Sequence, residues 1–356
     1  MATITILGAG VMGSAMTIPA SDRGHRVRLV GTHLDRAIID HVKEAGFHPR
    51  LGVKLPPLEA FHYEDIGEAL GTDTDLILLG VSSAGIGWAI EQLIEQLSRP
   101  IPLVMITKGL FPGQGTIVIL PDYLHGEIQR RCGLDLEVAA IAGPCIAGEL
   151  AVRRNTGVVI TSKRYEFARR LCKMFATSYY HPRPSSDVTG VEICAAFKNF
   201  FAIAVGYAAG SLDRMAEAEN GALNHNAAAI LFDQALLEMM MLSRHFGGQD
   251  RSVWGMPGAG DLYVTCQAGR NSRLGRNLGH GLTYREIKAG AMKDDTIEGA
   301  ELGLTLAPVL GSLTRSGAID AAALPVTRAL LETLVHDKPV DIAWNELHAL
   351  KEQIPS

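Results

Sequence analysis

The chain has 356 residues, 47% of them hydrophobic and 20% charged, with a formal net charge of −5. That length suits two domains better than one, and the balance excludes a disordered chain and a basic surface for nucleic acid. It does not exclude an anionic substrate, because the local field in a cleft decides that.

Residues 4–7 form a β-rich run almost at the first residue, so no signal peptide is expected. The run leads into Gly8-Ala-Gly10-Val-Met-Gly13, a glycine fingerprint placed after a strand and before a helix, as dinucleotide binding requires. Gly8 serves the tight turn, Gly10 the approach of a pyrophosphate to the backbone, and Gly13 the packing of helix on strand. The helix N-terminus then offers N–H groups and a favourable dipole to phosphate.

Further strands are predicted at 26–30, 76–81, 103–106, 138–141 and 158–161, with helices such as 86–97 and 165–175 between them. Continuous apolar strands alternating with helices predict an α/β fold, a doubly wound Rossmann sheet with helices on both faces. Ligands of such a sheet gather at the C-terminal strand ends, here Gly8 to Gly13, Thr32, Ser82, Lys108 and Gly143. Pro-Arg-Pro-Ser-Ser at 182–186 reads as a linker. Beyond it helical periods dominate, at 188–210, 222–246, 283–290, 298–315 and 321–335. The predicted organisation is a Rossmann domain over 1–186, an all-helical domain over 187–356, and a cleft where substrate meets cofactor.

Lys198 and Asn199 interrupt the longest apolar run, 193–211, which argues against a membrane span. A lysine in so apolar a helix must reach a polar site or be desolvated, which favours its neutral form and suits a proton shuttle. Glycines at 255, 258 and 260 precede Asp261, Thr265, Arg270 and Asn271. If the segment turns helical there, 261 and 265 share a face, and the Arg-Asn pair suits a phosphorylated, hydroxylated ligand. Five scattered cysteines and twelve histidines show no metal-ligand spacing, so no metal is expected and a reduced, cytoplasmic interior is. Cys145 stands before a helix but has no base near it in sequence, and reads as a lining residue.

In order, these segments resemble the soluble NAD(P)-dependent glycerol-3-phosphate dehydrogenases. The resemblance runs through the glycine fingerprint, the Val53-Lys54-Leu55-Pro56 turn, Thr107-Lys108-Gly109, Gly143-Pro144 with Ala147 and Glu149, Gly190 to Asn199, Gly260 to Asn271, and Glu298-Gly299. It implies a Rossmann domain and a helical one, with hydride transfer between NAD or NADP and C2 of dihydroxyacetone phosphate or sn-glycerol 3-phosphate. Lys198 would be the general acid and base, with Lys108 and Asp261 beside it. Lys108, Gly143, Asn199, Thr265, Gly269, Arg270 and Asn271 would hold the substrate. Gly8, Gly10, Val11, Met12, Gly13, Thr32, Ser82, Lys108, Ala147, Arg270 and Glu298 would hold the cofactor. A small phosphorylated substrate and a homodimer are implied, with no nucleic acid and no stable membrane insertion.

The sequence departs from the family pattern at Ala142-Gly143-Pro144-Cys145, at Val81-Ser82-Ser83 and at Thr32-His33. These changes keep open another phosphorylated polyol or ketose as substrate. In Thr32-His33-Leu34-Asp35-Arg36 the acidic and basic residues both come late, which leaves NAD and NADP level.

Overall fold

A computed structural model describes residues 1–113, 115–215 and 220–347. The chain divides into two compact units, Met1–Gly109 with Ile119–Val188, and Leu110–Val118 with Thr189–Ser356.

The strands in chain order are β1 (Thr3–Leu7), β2 (Arg26–Val30), β3 (Phe47–His48), β4 (Val53–Lys54), β5 (Glu59–Phe61) and β6 (Leu76–Leu79). They continue with β7 (Leu103–Met105), β8 (Leu110–Pro112), β9 (Ile117–Ile119), β10 (Val138–Ala142), β11 (Thr156–Thr161) and β12 (Tyr180–Ser185). Eight of them build the sheet of the first unit, in the order β12-β11-β10-β7-β6-β1-β2-β5. Its helices are α1 (Val11–Asp22), α2 (Arg36–Ala45), α3 (Ile66–Leu70), α4 (Ile86–Gln96), α5 (Leu120–Cys132), α6 (Ala147–Ala151) and α7 (Tyr165–Phe175). The central strands are buried along their whole length, as β1 and β6 are, which is why they read as unbroken apolar runs.

Three features differ from the sequence expectation. The supposed linker at 182–186 is largely strand β12, paired in parallel with β11 at the sheet edge. Prolines are tolerated there because an edge strand needs only alternate N–H groups, and Pro182 and Pro184 share the parity that does not pair. The sheet is also not wholly parallel, since β11 runs antiparallel to β10. Finally, β8 and β9 pair with each other instead of joining the large sheet, so 110–118 groups with the second unit.

The second unit is helical: α8 (Val188–Leu212), α9 (His225–His245), α10 (Asp250–Trp254), α11 (Asp261–Gln267), α12 (Arg270–Gly279), α13 (Tyr284–Ala289), α14 (Glu298–Arg315) and α15 (Pro325–His336). A single π-turn over Met256–Gly260 leads into α11. By length and composition α8 is apolar enough to cross a membrane, but 89% of its most apolar window is buried inside the protein. Glycines make that burial possible. A Cβ at Gly206 or Gly210 of α8 would overlap the backbone carbonyls of Ser272 and Arg276, and one at Gly275 of α12 would overlap that of Ile203. At Gly279 it would lie 2.6 Å from Gly210 C. Helices α8 and α12 therefore touch backbone to backbone, through two Gly-x-x-x-Gly pairs set one turn apart.

Glu238 on α9 is fully buried at the start of α15. Its carboxylate accepts the N–H groups of Val326 and Thr327 at 2.7 Å each and the Gln234 amide at 3.0 Å. This satisfies two donors that a helix N-terminus leaves open. Burial pushes the Glu238 carboxyl up to about 7 against the pull of those donors. A raised folded value means stability that is full below the ordinary carboxylate range and lost as pH rises towards 7. Urea unfolding of wild type and Glu238→Gln should therefore show wild type losing up to about 3 kcal/mol relative to the variant between pH 4.5 and pH 7.5. A difference that stays constant across that window would refute the assignment.

Candidate functional site

In the first unit the fingerprint loop crosses the C-terminal end of β1. Gly8 has φ +106, and a Cβ on it would lie 2.8 Å from the Gly80 carbonyl group at the end of β6. A Cβ on Gly13 would overlap the Gly8 carbonyl oxygen, so α1 can sit against the sheet only with glycine there. At Gly10 a Cβ would meet nothing within 4 Å. The open side of the loop therefore lies over Gly10, next to the first N–H groups of α1, the geometry that admits a phosphate group.

Two residues that sequence reasoning did not assign to the site pin this loop from below. The Ala9 N–H donates to Asp35 Oδ2 at 3.3 Å, and the Ala9 carbonyl accepts from His48 Nε2 at 3.0 Å. Nδ1 of His48 accepts the Leu51 N–H, also at 3.0 Å, which leaves Nε2 as the donor. Both side chains are buried. Thr32, expected at the cofactor, spends its hydroxyl on Asp35 Oδ2 at 2.8 Å and accepts the Leu34 N–H at 3.2 Å. Ser82 is exposed, Ala147 begins α6 and is buried, and Lys108 is half-buried beyond β7. Gly143 has φ +133, a conformation that favours glycine. Cys145 packs its sulfur 3.9 Å from that of Met12.

In the second unit seven of the expected residues are linked around α8: Lys198, Asn199, Asp261, Thr265, Arg270, Asn271 and Glu298. Lys198 and Asp261 form an ion pair, Nζ to Oδ1, with side chains only 8% and 3% exposed. A buried pair of this kind holds its geometry because neither charge can be left alone there. The neighbouring Cys266 thiol is pushed up to about 12 by burial, although the Lys198 charge pulls it down, so it is a neutral thiol and not a nucleophile. One turn on, the Thr265 hydroxyl donates to the Asp261 carbonyl at 2.7 Å, which leaves its oxygen able to accept.

Beside the pair runs a chain of hydrogen bonds. The Asn199 amide donates to Glu298 Oε2 at 3.0 Å and accepts from the Asn271 amide at 3.1 Å. Asn271 in turn accepts the Gly299 N–H at 2.9 Å. Arg270 lies 3.6 Å from Glu298 Oε1, half exposed, as the first residue of α12. Gly269 before it adopts φ +120. The guanidinium thus stands at a helix N-terminus, where its charge and the open N–H groups favour the same anionic ligand. Glu298 is the first residue of α14, which spans the 298–315 expected from sequence.

Known proteins resemble this chain over both of its units. Residues 3–168 match the profile of the NAD-dependent glycerol-3-phosphate dehydrogenase N-terminus, and 187–345 match its C-terminus. The chain is 34% identical over 286 residues to the NADP(+)-dependent glycerol-3-phosphate dehydrogenase of Archaeoglobus fulgidus, covering 80% of this chain and 82% of that enzyme. The chain belongs to the NAD-dependent glycerol-3-phosphate dehydrogenase family. A Bacillus cytotoxicus glycerol-3-phosphate dehydrogenase [NAD(P)+] is 29% identical over 98% of this chain and 95% of its own. The crystal structure of the Coxiella burnetii glycerol-3-phosphate dehydrogenase aligns with a TM-score of 0.76 at 26% identity, covering 99% of each chain. As a family member the chain is an NAD(P)-dependent oxidoreductase. The fingerprint loop fits that cofactor, since the space over Gly10 is what a pyrophosphate needs.

The interlocked glycines of α8 and α12 are the other feature that sequence reasoning missed. Their signal is the spacing itself, glycine at 206 and 210 and again at 275 and 279, read on two helices together. In Gly275→Ala the new methyl group would force the two helices apart. Overpacking of this kind is expected to cost about 1–3 kcal/mol. A thermal melt of the variant should show a clearly lower midpoint, and an unchanged midpoint would mean that the helices do not pack as described.

Proposed function

We propose that this chain interconverts dihydroxyacetone phosphate and sn-glycerol 3-phosphate, with Lys198 as the general acid and base at the C2 oxygen. The buried Lys198–Asp261 pair beside the Asn199–Asn271–Glu298 network carries the reading, because it sets a proton donor next to groups that can orient hydroxyls and a phosphate. Bound NAD(P)H supplies the hydride that C2 takes up. As that carbon is reduced, the Lys198 ammonium gives a proton to the C2 oxygen and becomes an amine; in the reverse direction the amine takes it back. Asp261 fixes the Lys198 head group through their buried ion pair. The Thr265 oxygen and the Asn199 amide orient the substrate hydroxyls. Arg270, Asn271 and the first N–H groups of α12 hold the phosphate, with Gly269 keeping the approach clear.

Lys108 and Gly143 belong to the same reading as substrate contacts, and Gly8, Gly10, Val11, Met12, Gly13, Ser82, Ala147 and Glu298 as cofactor contacts. Thr32 would line the cofactor site, its hydroxyl and N–H both being engaged with Asp35. Most of the dinucleotide contacts in this reading lie in the first unit and most of the substrate contacts in the second. A cytoplasmic homodimer completes the proposal, supported by the family resemblance alone.

Lys198→Ala is expected to lower kcat by about two to four orders of magnitude with cofactor affinity nearly unchanged. Stopped-flow single turnovers below the melting temperature of the variant would measure it, and near-normal turnover would remove Lys198 from the chemistry. Arg270→Ala should raise KM for dihydroxyacetone phosphate by about ten- to a hundredfold, the effect of losing a charge-assisted contact. An unchanged KM would place the phosphate elsewhere.

A further inference from the structure

Ala9 stands between Gly8 and Gly10, and glycine on either side makes its two peptide planes cheap to rotate. A loop that is to meet a pyrophosphate cannot leave those planes free. If the Ala9 carbonyl turned outward, its oxygen would face the anion and repel it. The structure shows what holds that carbonyl inward. His48 Nε2 lies 3.0 Å from the oxygen, while Nδ1 of the same ring accepts the Leu51 N–H. Ala9 and His48 are both fully buried.

In a trans peptide the carbonyl and the following N–H point in opposite directions. The Ala9–Gly10 peptide is trans, so a carbonyl directed at His48 sends the Gly10 N–H the other way. That N–H comes directly before Val11, the first residue of α1, where the loop is open. His48 can set this direction because its own place does not depend on the loop. It sits on β3, whose pairing with β4 closes a short hairpin. Within the hairpin the Gly52 N–H donates to the His48 carbonyl at 2.9 Å, and the Leu55 N–H to the Gly46 carbonyl at 2.8 Å. Leu55 belongs to the core of the first unit, and Leu51 and Val53 pack against it, as Val11 and Met12 do.

We infer that His48 is a positioning residue for the dinucleotide: its Nε2–H fixes the Ala9–Gly10 peptide plane and so aims the phosphate-binding N–H groups at the start of α1. The inference deepens the cofactor reading of the fingerprint, and its test is binding rather than turnover. Two amide side chains separate the two ends of the ring. Glutamine carries its amide nitrogen about as far out as Nε2 and still reaches Ala9; asparagine reaches only as far as Nδ1 and serves Leu51 alone. The whole protein would be titrated calorimetrically with NADPH, NADH and ADP, below the melting temperature of each variant. His48→Asn should bind each of them about three- to tenfold more weakly, the effect of one lost hydrogen bond, whereas His48→Gln should stay close to wild type. Unchanged affinities in both variants, or equal losses in both, would overturn the assignment. In steady state KM for the dinucleotide should rise in His48→Asn while kcat holds, and a fall in kcat at unchanged KM would overturn it too. Independently of any variant, a long-range proton–nitrogen NMR spectrum of the wild type should show His48 as the Nε2–H tautomer. An Nδ1–H tautomer would deprive Ala9 of its donor and refute the inference. A protein whose affinities follow this pattern yet reduces no dihydroxyacetone phosphate would keep the inference and sink the substrate reading.

Discussion

Contact between one stretch of backbone and another, with no side chain between them, is the constraint on which both units depend. In the first, α1 can bring its N-terminus over the end of β1 only because Gly8, Gly13 and Gly80 meet without Cβ atoms. In the second, Gly206, Gly210, Gly275 and Gly279 let α12 lie directly on α8. Gly299 repeats the device for α14, since a Cβ there would overlap the Asn199 carbonyl oxygen. Each glycine costs about 0.5–1 kcal/mol of chain entropy relative to alanine. What is gained is placement. With the three helix axes this close, the short side chains of Asn199 and Asn271 span the gap between helices, whereas at an ordinary interaxial distance of about 8–10 Å longer ones would be needed.

Burial of polar groups follows from that closeness, and every case described here is settled by a specific partner. Lys198 has Asp261, Asp35 has Thr32 and Ala9, His48 has Ala9 and Leu51, and Glu238 has the start of α15. The balance differs between them. At Glu238 desolvation outweighs several donors and brings the carboxyl up to about 7. At Cys266 desolvation outweighs the adjacent ammonium and holds the thiol neutral. A neutral thiol beside Lys198 does not compete with Asp261 for the lysine head group. An ionised neighbour would compete for it.

Much of this was legible in the sequence because its causes are local. The fingerprint gives its turn and helix start within six residues, and a lysine in an otherwise apolar helix announces a polar destination. The strand–helix rhythm, and with it the sheet, follows from apolar runs of the right length. What was not legible depends on contacts between distant segments. Strand β12 was hidden because proline is read as a break, and only the edge position and the parity of Pro182 and Pro184 reconcile it with a ladder. His48 sits on a two-residue strand with no pattern to mark it, and it matters only because Ala9 lies above it. The glycines at 206, 210, 275 and 279 show a spacing in sequence, but that the two pairs face each other is a fact of packing.

Asp35 shows why position along the chain cannot by itself give the role of a charged residue. In the sequence it stands close enough to the end of β2 to compete for the adenosine ribose. In the structure the turn from Thr32 to Asp35 closes through the Asp35 N–H and the Thr32 carbonyl, at 2.9 Å, and this directs the carboxylate back under the loop. There it takes the Ala9 N–H while His48 donates to the Ala9 carbonyl, so one residue of the fingerprint is held through both of its backbone groups. A carboxylate used in this way rigidifies the phosphate loop, and rigidity there lowers the ordering cost of binding.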